Sequence, residues 1–256
     1  MWNVYFDLTS PSPISLNFEI NNFSIRLIES STQISVDKIE AVNQNAARAK
    51  ALDAATSCID CLSWKCDVVL SINNGRLSIE EIDLSGKTVS RTGYASAAAK
   101  AAMVLEGMPQ NPATIKIKKS EAASYYRKGC LGVDPFDKFR NFYLAVENIS
   151  SRIYRKQPGE PEKIELERAL EVCFVNRLPS LVEFAKSEPT FNTNESAISE
   201  VTRILYGTNL CQLNHSKTYK EKKVPFDPQS ETEVRNALPL VKFVAKTLLE
   251  YEELSL

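Results

Sequence analysis

The sequence predicts an α+β protein, with a small N-terminal α+β domain over residues 1–118 and an antiparallel helical bundle over residues 125–256. Two observations predict the first part. Phe23, Ile25 and Leu27 alternate with Ser24, Arg26 and Ile28, close to the two-residue period of a half-buried strand. From Asp37 the period changes to three or four through Ile39, Val42, Ala46, Ala49, Leu52, Thr56, Ile59 and Leu62, as in a long amphipathic helix. A third observation predicts the second part: beyond residue 118 strand signals stop, and four long stretches keep a helical period.

In order, strands are expected at residues 2–8 and 18–28, joined through Pro11 and Pro13. After the helix that opens at Asp37, residues 68–72 form a strand. Asn74-Gly75 is a two-residue hairpin signal, with residues 76–82 as the returning partner. Ser85-Gly86 marks a further turn before a strand at 88–94, then an alanine-rich helix at 95–105 and a short strand at 113–118. Lys116, Lys118 and Lys119 read as the solvated end of that strand rather than as a binding patch. Asp134-Pro135 reads as an N-cap followed by proline in the first helical position, with Asp137 in the first turn. The helix after it carries Phe136, Phe139, Tyr143, Val146, Ile149 and Ile153 on one face and Glu147 on the flank. Pro158-Gly159-Glu160-Pro161 breaks it. A second helix spans 164–184, kinked or restarted at Pro179. A loop at 188–194 leads to a third helix running from Glu195 towards His215. Ser230 and Glu233 have capping-box spacing and open the last helix, whose first turns Pro239 bends.

Bulk composition excludes several classes. Lys plus Arg is 31 and Asp plus Glu is 32, so no global basic field attracts nucleic acid, and any such binding must come from a local patch. No apolar run approaches the roughly 18–20 residues that cross a bilayer. The first residues lack a basic n-region and an apolar h-region, so a cytoplasmic protein with no membrane partner is expected. No glycine-rich phosphate loop is present among the 8 glycines, and no cofactor is implied. Cys58, Cys61 and Cys66 are spaced like part of a zinc site, but a structural zinc wants four ligands and the lone histidine is far away. Buried thiols are the favoured reading, and no metal is expected.

The stretch that invites a function is 206–217. His215 is the single histidine of the chain. The apolar stripe of Val201, Ile204 and Leu205 continues at helical spacing into Thr208, Gln212 and His215, so a face that should bury carbon ends in hydroxyl, amide and imidazole. Such groups cost free energy when buried without partners. Asn209 and Asn214 add to the cluster, and Lys217, Lys220, Lys222 and Lys223 follow it. A helix-end histidine used only for packing and a solvated basic loop are the plain alternatives.

The C-terminal half resembles a HEPN domain, of the kind grouped with the ApeA-like and methylamine-utilization MauJ-like proteins. The resemblance lies in residues 136–147 (FDKFRNFYLAVE), 205–217 (LYGTNLCQLNHSK), 224–228 (VPFDP) and 237–241 (ALPLV). It implies a helical bundle that pairs into a homodimer, binds RNA or nucleotides and in many members cleaves RNA without a metal. The family motif is an arginine, four to six residues, then a histidine. His215 matches the histidine and is the implied catalytic residue, but Thr208, Asn209 and Leu210 stand at the arginine distance. In the family mechanism the histidine moves protons at the ribose 2′-OH and the leaving oxygen, while the arginine stabilises charge on the phosphate. Without that arginine catalysis is weakened or lost, unless Lys217 or Lys220 supplies the charge; Arg203 lies about three turns upstream of His215 and is not expected to share one phosphate within the same chain. The implied binding set is Thr208, Asn209, Gln212, Asn214, Lys217, Lys220 and Glu147, the last facing the motif from the first helix.

Two classes of function follow: an RNA- or nucleotide-binding protein of defence or stress response, ribonuclease-like, or a non-catalytic scaffold or regulatory subunit whose bundle makes a dimer or holds a partner. The aromatic face of Phe136, Phe139 and Tyr143 suits either, as core or as interface.

Overall fold

The computed structural model describes residues 1–20, 23–83, 85–95, 119–210 and 227–254. The protein is mixed α+β, with an N-terminal antiparallel sheet and a helical C-terminal half. It divides into two compact units, Met1–Ser120 and Glu121–Leu256.

In the first unit six strands lie in the order β2-β3-β4-β1-β5-β6, every neighbouring pair antiparallel. They are β1 (Trp2–Leu8), β2 (Leu16–Ile20), β3 (Phe23–Leu27), β4 (Gln33–Ile39), β5 (Ile72–Ile82) and β6 (Thr88–Ala95). Alternate residues Val4, Phe6 and Leu8 of β1 face a core shared with Ile25, Leu27, Ile34 and Val36. Helix α1 (Gln44–Lys65) covers that face with Ala47, Ala51, Ala55, Cys58, Ile59 and Leu62. Three alanines four residues apart bring its backbone close to the sheet, and Asn43 caps it by accepting from the Ala46 N–H at 2.9 Å.

Several expectations need correction. The expected strand at 18–28 is two strands, β2 and β3, paired so that Ile20 faces Phe23, and the turn-prone Asn21-Asn22 between them was passed over. Residues Ile39 and Val42 do not start the helix. Ile39 ends β4, Val42 is 94% exposed, and the helix begins only after Asn43. The buried stripe of α1 also runs through Ala47 and Ala51 rather than Ala46 and Ala49, because a helix rich in alanine on every side carries little phase information. Asn74-Gly75 does not turn a hairpin: β5 runs through it. Phe6 pairs with Leu77 and Leu8 with Ile72, so two residues of advance on β1 meet five on β5, and the glycine sits in a bulge. Ser85-Gly86 does turn, with Gly86 at φ +83° and the Asp83 carboxylate accepting from the Ser85 and Lys87 N–H groups at 2.8 and 2.9 Å. The helix expected at 95–105 and the strand at 113–118 lie outside the described residues, apart from Ala95, which ends β6. Lys119 forms an exposed ion pair with Asp53.

The second unit opens with α2 (Glu121–Leu131), which the periodicity reading missed. Then come α3 (Pro135–Ile153), α4 (Lys163–Cys173), α5 (Leu178–Ala185), α6 (Ala197–Thr202), a π-helical segment (Arg203–Leu210) and α7 (Pro228–Leu254). Asp134 caps α3 by accepting from the Asp137 N–H at 2.9 Å. Phe136, Phe139, Tyr143, Val146 and Ile149 of α3 are all buried, so its aromatic face is core. The helix expected across 164–184 is interrupted after Cys173, and Pro179 sits in the first turn of α5. The start of α7 is capped by Asp227 rather than Ser230: the Ser230 N–H donates to the Asp227 carboxylate at 2.8 Å, and Pro228 takes the first helical position, where no N–H is missed. Pro239 lies within α7.

Helix α3 is central, touching α2, α4, α7 and the π-helical segment. Its seam with α2 turns on Gly129. A Cβ there would stand 2.8 Å from the Phe142 ring, which in turn takes the edge of Tyr126 at 5.2 Å between centroids. Gly129→Ala sets a helix-propensity gain of about 1 kcal/mol against overpacking that costs about 1–3 kcal/mol, and the contact is too close to be ordinary. We expect net destabilisation in urea unfolding. An alanine variant as stable as the parent would show that Phe142 moves aside freely.

Candidate functional site

Val201, Ile204 and Leu205 are fully buried, as the apolar stripe requires. From Arg203 to Leu210 the backbone is π-helical, with i→i+5 bonds in place of i→i+4. The spacing that puts Thr208 in phase with Val201, Ile204 and Leu205 presumes an α-helix and does not carry over to this segment, while Gln212 and His215 lie outside the described residues. Thr208 and Asn209 lie in the π-helical segment, and their side chains fall outside the described set, as do Gln212, Asn214, His215, Lys217 and Lys220 altogether.

Arg203 is held elsewhere. Its guanidinium donates to the buried Glu200 carboxylate at 2.6 and 2.8 Å and to the Thr190 carbonyl at 2.8 Å. Glu200 also accepts from the Asn192 N–H at 2.8 Å, and the Arg203 hydrogen bonds hold its carboxyl below the ordinary range. This arrangement ties the 190–192 loop to the start of the π-helical segment. Arg203 thus serves the fold and is a poor substitute for the missing motif arginine.

The described part of the expected site is Glu147, which lies at a cleft of about 170 Å³. Tyr143, Glu147 and Ser150 line it from α3, Lys156 from the loop after α3, Glu162, Glu165 and Leu166 from the start of α4, and Tyr206 from the π-helical segment. The Tyr206 hydroxyl donates to Glu162 at 2.8 Å, and the Lys156 N–H donates to Glu165 at 3.2 Å. Among the described residues the Glu147 carboxylate has no hydrogen bond or ion pair. Partial burial pushes its carboxyl above the ordinary range, although the residue as a whole is exposed, and the negative charges of Glu162 and Glu165 add to the shift. Ser150 is 1% exposed, and its hydroxyl has no hydrogen-bond partner.

Three carboxylates against one lysine make this a place for positive charge. A phosphate would be repelled at this cleft. The sequence reading singled out Glu147 but missed its neighbours. The signal was available: 143, 147 and 150 are spaced by four and three, which aligns them on one helical face, and 162 and 165 are three apart at the start of the next helix. What periodicity cannot show is that the two faces meet.

Cys58, Cys61 and Cys66 are buried thiols, and Cys130 and Cys173 are partly buried. Cys58, Cys61, Cys66, Cys130 and Cys173 form no disulfide. Burial above all, then the neighbouring Cys61, Cys66 and Asp60, raises the Cys58 thiol well above its ordinary range, and burial alone pushes Cys173 up to about 12. Both stay neutral thiols and poor metal ligands at neutral pH. Among the described residues no group of three or more His, Cys, Asp or Glu is placed to hold a metal ion, and no helix is long and apolar enough to cross a membrane.

Compared with known proteins, the chain matches no family model, no curated protein and no solved structure.

The raised Glu147 carboxyl sets a pH dependence. The folded state keeps this proton above the pH at which the unfolded chain releases it, so the folded form binds more protons in that window. Stability then falls as pH rises from the ordinary glutamate range through the raised folded value, and is level above it. Glu147→Gln should flatten that fall in urea unfolding measured across the window. A variant that retains the full slope would place the titration on another group.

Proposed function

We propose that the C-terminal helices form an antiparallel bundle of HEPN type that binds RNA or a nucleotide, in a defence or stress role, with metal-independent cleavage weakened or lost. The observation that carries this reading is the lone His215 at the family's motif position, followed by Lys217, Lys220, Lys222 and Lys223. The histidine serves as the proton carrier at the ribose, and the lysines hold the backbone phosphates by charge alone. Thr208, Asn209, Gln212 and Asn214 supply hydrogen bonds to base or sugar. The arginine position is held by uncharged residues and Arg203 is committed to Glu200, so transition-state charge on the phosphate has lost its strongest stabiliser. Binding with slow or absent turnover is the consequence.

Purified protein incubated with labelled single-stranded RNA in the presence of a chelator tests this. Binding that weakens with salt, and weakens further in the Lys217→Ala, Lys220→Ala, Lys222→Ala triple variant, is expected. Residual cleavage, if seen, should vanish in His215→Ala. No salt-dependent RNA or nucleotide binding by the parent protein would overturn the reading.

A second reading, a non-catalytic scaffold that dimerises or holds a partner, draws on a different observation. Val172, Val175, Leu178 and Phe184 remain exposed on and between α4 and α5, a short stretch of chain that shows several apolar side chains to solvent. Since the α3 aromatic face is core, this stretch is the better candidate for a homodimer contact. Val175→Asp should shift the mass seen by light scattering from dimer to monomer. A parent protein that is monomeric at high concentration would remove this reading.

A further inference from the structure

The six-stranded sheet ends on two edges, β2 and β6, and they differ. β2 is 5 residues long and carries Glu19. β6 runs for 8 residues, Thr88–Ala95, and pairs with β5 on one side only. Among the described residues its backbone makes no hydrogen bond beyond that pairing. Every residue from Thr88 to Gly93 is exposed, with Val89 at 65%. Natural sheets guard such an edge with proline, lysine, inward charges or a bulge. β6 has no proline and a single charge, Arg91, which is already paired with Glu80 of β5 at 3.3 Å. Its irregularity lies at Val89, since Thr88 pairs with Ile82 and Ser90 with Glu81, and the ladder is regular from Ser90 onwards. A free row of strand N–H and C=O groups is a template for another extended strand.

We propose that β6 pairs antiparallel with β6 of a second copy of this chain, about a two-fold axis at Thr92, so that two six-stranded sheets become one. The order of residues in β6 favours both this partner and this register. A two-fold pairing sets one residue opposite itself. An axis at Arg91 would oppose two guanidinium groups, and an axis at Ser90 would draw in the Val89 bulge. An axis at Gly93 would shorten the pairing to residues 91–95 and oppose two glycines. An axis at Thr92 centres the regular stretch Ser90–Tyr94. Thr92 then faces Thr92, a favourable cross-strand pair, and Arg91 faces Gly93, which leaves room for the long side chain. This self-complementarity favours a second copy over an unrelated peptide, and an isologous contact closes at a dimer instead of growing into a fibre. So short a pairing buries less than the roughly 1,200–2,000 Å² of a standard interface, so the dimer is weak and forms at high concentration. The proposal rests on neither the RNA reading nor the apolar stretch on α4 and α5, and it is tested in the Val175→Asp chain, where that stretch is disabled.

In that chain, sedimentation equilibrium should show a concentration-dependent monomer–dimer equilibrium. Its dissociation constant should weaken at least tenfold when Thr92→Lys sets two ammonium groups face to face. Directly opposed Cα atoms lie about 4.5–5.5 Å apart, within disulfide reach, so Thr92→Cys should crosslink two copies in oxidised glutathione. Ser90 would face Tyr94 of the second copy, about 13 Å along the strand from that copy's own Ser90. Ser90→Cys, equally exposed, should therefore crosslink at least tenfold more slowly, both rates being read against the chain without either substitution. A chain that stays monomeric at its highest soluble concentration, a Thr92→Lys variant that dimerises as tightly as its parent, or equal crosslinking at the two positions would overturn the assignment.

Discussion

The helical unit depends on the absence of one side chain. Gly129 lets the Phe142 ring lie against the backbone of α2, and this contact sets how closely α2 meets α3. Phe142, Phe139, Tyr143 and Val146 then fill the space around α3, where α4, α7 and the π-helical segment converge. Tyr143 belongs both to this packed face and to the edge of the cleft, where Glu147 of α3 lies near Glu162 and Glu165 at the start of α4.

The site has an internal tension. In the proposed reading His215 and the lysines after it take anions, while Glu147, Glu162 and Glu165 favour cations. A single protein can hold both when the two surfaces take different parts of one partner or different ligands. Arg203 belongs to neither: its guanidinium is used to anchor the 190–192 loop against Glu200, a buried carboxylate that would otherwise be left unpaired.

Much of the fold was legible locally. Asp134-Pro135 announced α3 and its cap because both signals act on the residues beside them, and the five apolar residues from Phe136 to Ile149 are buried as their spacing demands. Strands expected over residues 2–8 and 88–94 correspond to β1 and β6. The failures occur where two local signals compete or where a signal is degenerate. Asn74-Gly75 is a turn dipeptide, but β5 pairs with β1 on both sides of it, and the dipeptide is absorbed in the register shift between Leu77 and Ile72. Val42 continued a helical count that β4 had already ended. The acidic cleft was half legible: the spacings 143-147-150 and 162-165 are each visible in the sequence, but not their apposition.

By itself the sequence determined the identity of the elements with strong local chemistry: the capped helix α3, the break at Pro158–Pro161, the strand pattern of β1, and a lone histidine followed by lysines. Those features arise from interactions within one or two turns of chain, which composition and spacing encode directly. Tertiary structure alone decided the order of strands in the sheet, the tie of Arg203 to the Thr190 carbonyl, and the meeting of Glu147 with Glu162 and Glu165. Each of these brings together groups well separated in the chain, and only the folded chain settles which of them meet.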